Sequence, residues 1–135
     1  MNIYSKIEPT TILHIITRKR DIEPGRVDLV DADQFIQCAT IRRTRGVTFK
    51  PHRHICGWRS EPYIPQESWI VITGLVQVTF YDLDNAVIHT DILEQGDCSI
   101  TLQGGHNYLF LSDDSIVYEF KTGPYTGQEN DKVFI

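Results

Sequence analysis

Short apolar segments recur along this 135-residue chain about every ten positions, a spacing that is typical of β-sandwiches and β-barrels. Turn-forming residues such as Gly, Pro, Asn and Asp separate the segments. The best candidate for a helix is one short turn near residues 31–34. The pattern predicts strands over residues 12–17, 26–30, 35–41, 47–51, 69–73, 75–81, 87–93, 98–102, 108–111 and 116–120.

The composition agrees with this strand pattern. Ile, Val and Thr together number 38, whereas Ala, Leu and Met number 12. β-Branched side chains pack well on a pleated surface and lose rotamer freedom in helices. We therefore expect an all-β chain, folded as a single domain over residues 1–135 because this length is ordinary for one domain.

One predicted strand is apolar on both faces. In the segment 67–73, Trp69 and Val71 share one face, while Ile70 and Ile72 share the other. An antiparallel strand with one face in water should instead alternate apolar and polar residues. The second face must be covered by the opposing sheet, by the first third of the chain or by a second copy, and we expect a homodimer.

Charge and cysteine content restrict the partners and the compartment. The chain has 18 acidic and 13 basic residues, a net charge of −5, which argues against nucleic acid as a partner. The longest stretches without Asp, Glu, Lys or Arg are too short and too polar to span a bilayer. An odd number of cysteines, three, and the lack of an apolar signal core predict a cytoplasmic protein.

The histidines are the first sign of chemistry. His52 and His54 are two residues apart, so on a strand their side chains point to the same face and can converge on one ion. This pair alone is a weak signal. It stands between Gly46 and the later Glu67, which precedes Gly74 by six intervening residues. A second stretch runs from Gly96 through Leu102 and Gly104 to His106.

These residues resemble the two sequence motifs of the cupins. The first motif is matched over about 46–74, with a gap before Glu67 some eight residues longer than usual. The second is matched over about 96–110, with Leu102 in place of a proline and one residue missing before His106. Residues 1–45 would supply N-terminal strands. The resemblance implies a double-stranded β-helix, a small jelly-roll barrel.

The resemblance also implies one divalent metal ion, held by His52, His54, Glu67 and His106. Three neutral imidazoles and one carboxylate suit Fe, Mn, Zn or Ni, and an octahedral ion would keep two positions open. Glu61 and Gln66 are the other candidates for the fourth ligand by distance along the chain. Some cupins instead use a His/Tyr pair without metal, and His106 with Tyr108 can imitate that pair.

Four further features of the sequence stand out. Tyr108 shares a strand face with His106 and is the candidate catalytic residue, as a proton donor or substrate contact, although packing explains it equally well. Glu119 and Lys121 share a strand face, where an ordinary cross-strand charge pair is expected. The insertion over 56–63 is either a lid over the metal site or a hairpin extension. The tail over 123–132 is the most loop-like segment.

Two classes of function stay open at this stage. One is a mononuclear metalloenzyme that acts on a small polar metabolite, as an isomerase, epimerase or oxygenase. The other is a metal-containing cupin that binds a sugar or another metabolite without turnover. The residues Lys121–Tyr125 resemble the end of small cupins found among cell-surface polysaccharide genes, which suggests a link to polysaccharide biosynthesis.

Overall fold

A computed structural model describes residues 1–55, 57–58 and 62–135, and for residues 57, 58 and 62 it describes the backbone only. Strands account for 51% of the structure and helices for 5%, which confirms the all-β prediction. Of the proposed lid, Cys56 and the alternative ligand Glu61 lie outside the described residues, and the structure describes only the backbone of Trp58.

Fourteen strands and two short helical segments make up the described chain. The helical segments are a 3-10 helix over Lys19–Asp21 and the helix α1 (Gln128–Asp131). The strands are β1 (Asn2–Tyr4), β2 (Ile12–Ile15), β3 (Gly25–Asp28), β4 (Ile36–Arg43), β5 (His52–His54), β6 (Gly57–Trp58), β7 (Pro62–Tyr63), β8 (Glu67–Thr73), β9 (Val76–Tyr81), β10 (Val87–Leu93), β11 (Cys98–Thr101), β12 (Gly105–Phe110), β13 (Ser115–Thr122) and β14 (Lys132–Phe134).

Two five-stranded antiparallel sheets form the barrel. The first has the order β10-β9-β12-β5-β14, and the second has the order β11-β8-β13-β4-β3. Inward side chains from both sheets make the core, as expected for sheets packed face to face. The core cluster contains Ile41, Trp69, Val71, Val76, Val78, Tyr108, Phe110 and Val117.

Strand β8 has the predicted inward and outward faces. Trp69 and Val71 are buried at 3% and 1% exposure, while Ile70 and Ile72 on the opposite face are only partly buried. The glycine after this strand, Gly74, has a φ of +90°, a conformation that favours glycine. A Cβ at Gly74 would also lie 2.4 Å from the Ser115 hydroxyl oxygen, so the turn into β9 requires glycine.

Two predictions of secondary structure were wrong. Residues 47–51 form only one isolated bridge, from Thr48 to Leu109. Pro51 has no N–H to donate, so regular pairing with β12 resumes only at His52. Residues 31–34 form a turn and not a helix, with one backbone hydrogen bond inside it, from Gln34 N to Asp31 O. The α-helix lies instead at Gln128–Asp131 in the tail.

Two apolar surfaces lie on the outside of the barrel. The outer face of the second sheet carries Ile36 and Ile100, exposed at 59% and 64%, beside a groove of about 320 Å³ that Phe120 also lines. Strands β1 and β2 pair with each other and with none of the other described strands. Their hairpin exposes Leu13 at 55%. Within the described residues, no helix is long and apolar enough to cross a membrane.

Candidate metal centre

The two sheets bring four buried polar side chains together inside the barrel. His52 and His54 project from β5, and His106 lies opposite His52 in the register of β12. Glu67, the first residue of β8, faces them from the other sheet. All four residues are buried, at 8% exposure or less. One potential ligand atom from each lies within 4.8 Å of the others.

The donor atoms of this group fit a metal ion. Glu67 Oε1 lies 3.1 Å from His106 Nε2, and Glu67 Oε2 lies 3.3 Å from His54 Nε2. Two ligand atoms that bind one metal ion at about 2.1 Å, with a right angle at the ion, lie about 3 Å from each other. Among the described residues, the buried Nε2 atom of His52 has no hydrogen-bond partner, and those of His54 and His106 contact only the Glu67 carboxylate. Buried polar atoms are rarely left unpaired, so a bound ion would explain them.

Groups behind the ligands fix the orientation of three of them. His52 Nδ1 lies 2.9 Å from the Lys50 carbonyl oxygen; a carbonyl only accepts, so Nδ1 carries the proton and Nε2 keeps its lone pair. The indole N–H of Trp69 donates to Glu67 Oε1 at 2.9 Å. His54 Nδ1 lies 3.4 Å from Asp131 Oδ2. Such outer partners orient ligands and tune their basicity.

Burial and neighbouring charges shift the pKa values of the titratable groups at this site in opposite directions. Burial, with His106 and Lys132 nearby, lowers the pKa of His52 to about 4. Burial also acts to lower the pKa of His54, but Asp131 and Glu67 outweigh it and raise that pKa to about 9. Burial acts to raise the pKa of Glu67, but His106 and His54 lower it well below the ordinary value. Without a metal ion, the site therefore holds an ionised carboxylate beside a protonated His54.

Tyr108 lies next to this group, as its strand register predicted. Its ring centroid is 5.5 Å from that of His106, and it stacks on Trp69 at 3.9 Å with an interplanar angle of 6°. Its hydroxyl hydrogen-bonds to the Ser99 hydroxyl at 2.9 Å. Burial raises the pKa of Tyr108. The hydroxyl therefore stays protonated at neutral pH and can act as a donor.

A cavity of about 360 Å³ adjoins the group of four. His52, Glu67 and Tyr108 contribute to its lining, as do Glu119 and Lys121. Glu119 and Lys121 are therefore interior groups, and each makes a charge pair with a residue of another segment. The partner of Glu119 is Arg26 on β3, in a two-pronged pair of 2.9 and 2.7 Å. The partner of Lys121 is Asp131, at 3.4 Å.

Sequence reasoning missed the part that the tail plays at this site. Asp131 contacts both His54 and Lys121, and Tyr125, Gln128 and Lys132 line the cavity. Spacing to the histidines gives no signal for these residues, because only the pairing of β14 with β5 brings the tail back to them. Gln66, an alternative to Glu67, is exposed and does not belong to the group of four.

Comparison with known proteins gives similarity in structure only. No family model and no curated protein matches this sequence. KdgF from Halomonas sp. is 20% identical, over 76% of this chain and 83% of that chain, with a TM-score of 0.57. The capsular polysaccharide assembling protein CapF from Staphylococcus aureus is 16% identical, over 95% of this chain and 36% of that chain, with a TM-score of 0.66.

A third similar structure is a protein described by its fold. It is an uncharacterized conserved protein with a double-stranded β-helix domain from Klebsiella pneumoniae, 17% identical over 81% of this chain and 84% of that chain, with a TM-score of 0.55. The chain thus has the double-stranded β-helix fold of the cupins. Its buried group of three histidines and one glutamate fits a metal-binding cupin.

Proposed function

We propose that residues 1–135 form one cupin domain that binds a single divalent metal ion through His52, His54, Glu67 and His106. The observation that carries this proposal is the convergence of four potential ligand atoms within 4.8 Å at one wall of a cavity. Three buried imidazole Nε2 atoms beside a carboxylate are a donor set that suits Fe, Mn, Zn or Ni. The donor set does not distinguish among these metals.

Elemental analysis of protein purified without chelator tests the metal site. The wild type should hold about one ion per chain, and Glu67→Gln should hold much less, because the neutral amide is a weaker ligand than the carboxylate. His89→Gln is the matched control, since its side chain is 62% exposed. A wild type that binds none of the four metals at neutral pH would refute the proposal.

The same cavity supports an enzyme that acts on a small polar metabolite, by isomerisation, epimerisation or oxygenation. A bound ion at this position would polarise an oxygen of the metabolite or acidify a water molecule. The chain's own contribution is the protonated hydroxyl of Tyr108, which lines the cavity and can donate a hydrogen bond to an oxygen of the metabolite. Trp69 and Ser99 hold that ring and hydroxyl in place.

Replacing Tyr108 by Phe separates catalysis from packing. The ring and its stacking on Trp69 stay, and only the hydroxyl is lost. Turnover should fall by about a hundredfold, the typical effect of removing one hydrogen-bond donor to charge that develops in the transition state, while metal content stays at the wild-type level. Unchanged turnover would leave Tyr108 a packing residue.

The alternative is a cupin that binds its metabolite without turnover. The Tyr108 hydroxyl already has a partner in Ser99, an arrangement that packing alone explains. Similarity to CapF over 95% of this chain supports a link to polysaccharide biosynthesis. We also propose a cytoplasmic location for the protein. The enzyme and the non-catalytic binder are distinguished by following the nuclear magnetic resonance spectrum of the metabolite over hours in the presence of the protein. A non-catalytic binder leaves the spectrum of the metabolite unchanged.

We also propose that the chain forms a homodimer in which each copy covers apolar surface of the other. Apolar surface among the described residues includes the outer face of the second sheet around Ile36 and Ile100, and the β1–β2 hairpin around Leu13. A two-fold dimer lets the hairpin of each copy lie on the sheet face of its partner, so both surfaces are covered at once. A second copy of the chain is therefore enough to cover both surfaces.

Light scattering at micromolar concentration tests the dimer. The wild type should have twice the mass of the chain, and Ile100→Glu should shift it toward monomer because a buried carboxylate in an apolar contact is costly. Leu83→Glu is the control, since Leu83 is 58% exposed in the turn between β9 and β10. A monomeric wild type would refute the proposal.

A further inference from the structure

The cavity beside the proposed metal centre has a wall made by the end of the chain. Strand β13 contributes Glu119 and Lys121, and the tail after it contributes Tyr125, Gln128 and Lys132. Lys121 lies opposite Glu67 in the register of β13 and β8. A group held by Lys121 would therefore lie close to an ion bound at Glu67.

The charges around this cavity leave a small positive excess once an ion is bound. Among the described residues, three cationic side chains and four carboxylates surround the cavity and the ligands, so a divalent ion with neutral histidines leaves a net charge of about +1. Such an excess favours a ligand with a single negative charge. The cations are Arg26, Lys121 and Lys132, and the carboxylates are Asp28, Glu67, Glu119 and Asp131.

Arg26 is already occupied by protein carboxylates. Its two terminal nitrogens donate to Glu119 at 2.9 and 2.7 Å, and its Nε donates to Asp28 at 3.1 Å. Both Glu119 oxygens are used in this contact. Arg26 therefore holds the wall in place and has little capacity left for a ligand.

Lys121 has donors left for a ligand. Its side chain is 10% exposed, and its ammonium lies 4.1 Å from the centroid of the Tyr125 ring. An ammonium has three N–H donors, and one hydrogen bond, to Asp131 at 3.4 Å, is present among the described residues. A nine-tenths buried ammonium with donors to spare, facing a cavity, is a site for an anionic oxygen.

We propose that this cavity binds a small carboxylic acid rich in hydroxyl groups, of the sugar-acid or hydroxy-acid class, with its carboxylate on Lys121. This inference rests on the proposed metal centre, which would take another oxygen of the same molecule. A single carboxylate matches the net charge, whereas a phosphate group carries nearly two charges at neutral pH. Gln128 offers an amide for hydroxyl groups, and Phe49 and Trp69 give the cavity an apolar side. The volume of about 360 Å³ suits a molecule of this size.

Titration calorimetry of the metal-loaded protein tests the proposal. The probes are D-glucuronate, D-galacturonate and D-gluconate, each compared with its neutral amide, together with D-glucose 6-phosphate. At least one acid should bind ten times or more tightly than its amide, a difference of about 1.4 kcal/mol. Lys121→Met should abolish this preference, so that the acid binds no more tightly than its amide. Lys6→Met, at an exposed position, is the matched control.

Metal content, measured on the same samples, separates the two proposals. A wild type without metal refutes the proposed function, whereas a metal-loaded wild type that prefers no acid over its amide refutes only the carboxylate site. Tighter binding of the phosphate ester than of every acid, or no acid bound below about 10 mM, also overturns it. Lys121→Arg keeps the charge and should keep the preference for the acid, so the test stands even if Lys121→Met does not fold.

Discussion

Replacing Asp131 by Asn should change the protonation of a proposed metal ligand without touching the ion's immediate surroundings. Asp131 Oδ2 lies 3.4 Å from His54 Nδ1, and with Glu67 it raises the pKa of His54 to about 9. That rise corresponds to about 3 kcal/mol in favour of the imidazolium, at about 1.4 kcal/mol per pKa unit. An equal share for the two carboxylates gives Asp131 a contribution of about one pKa unit or more.

The assay is a pH titration of metal-free protein, followed by the ring resonances of His54 in nuclear magnetic resonance. The wild-type His54 should titrate near pH 9, and the Asp131→Asn variant should titrate at least one unit lower. The same change should appear in the free energy of unfolding. A raised pKa in the folded state gives stability that is fully present below about pH 6.5 and is lost as pH rises through about 9, so the variant should lose less stability over that window.

Asp33→Asn is the matched control, since Asp33 is exposed and has no contact with His54. The control should leave the titration of His54 unchanged. If His54 still titrates near pH 9 in Asp131→Asn, then Asp131 does not set the charge of His54.

Three further predictions concern the ligands and the turns. Glu67→Ala should lower metal affinity at least tenfold, about 1.4 kcal/mol, in a competition with a chelator; an unchanged affinity would remove Glu67 from the ligand set. Metal-free protein should lose about 3 kcal/mol of unfolding free energy as pH falls from 6.5 to 4, because the folded pKa of His52 is lowered to about 4; a flat profile in denaturant titrations would contradict this. Gly104→Ala should destabilise by more than about 1 kcal/mol, since φ is +87° and a Cβ would lie 2.6 Å from the Tyr81 carbonyl oxygen. Gly46→Ala, with φ +86° and no atom within 4 Å, should cost less in the same thermal denaturation assay.

Strand positions and faces could be read from the sequence because they follow a local rule. The period of two along a strand set Trp69 and Val71 inward and Ile70 outward, as the structure shows. The same period placed Tyr108 beside His106. The irregular segment 47–51 escaped this rule because its pairing depends on the turn before it and on Pro51, which cannot donate a hydrogen bond.

Residues whose position depends on long-range pairing could not be found in this way. The sequence places Glu119 and Lys121 on one face, but it does not show that they face Arg26 from β3 and Asp131 from the tail. These contacts join residues 93 and 10 positions apart along the chain. Their partners are decided by the order of strands in the sheets, which periodicity does not encode.

The tail is the clearest case, because one stretch of chain both completes the sheet and builds the site. β14 pairs with β5 and covers an edge that would otherwise be open. Ile55 N donates to Asp131 O, and Ile135 N donates to Pro51 O, so both ends of β5 are held by the tail. The same pairing sets the Asp131 carboxylate against His54 and places Lys132 in the cavity wall. Local composition indicated a loop here, since Gly123 and Gly127 interrupt any regular pattern. The order of this segment comes from what it packs against, and the geometry of the proposed metal ligands depends on it in turn.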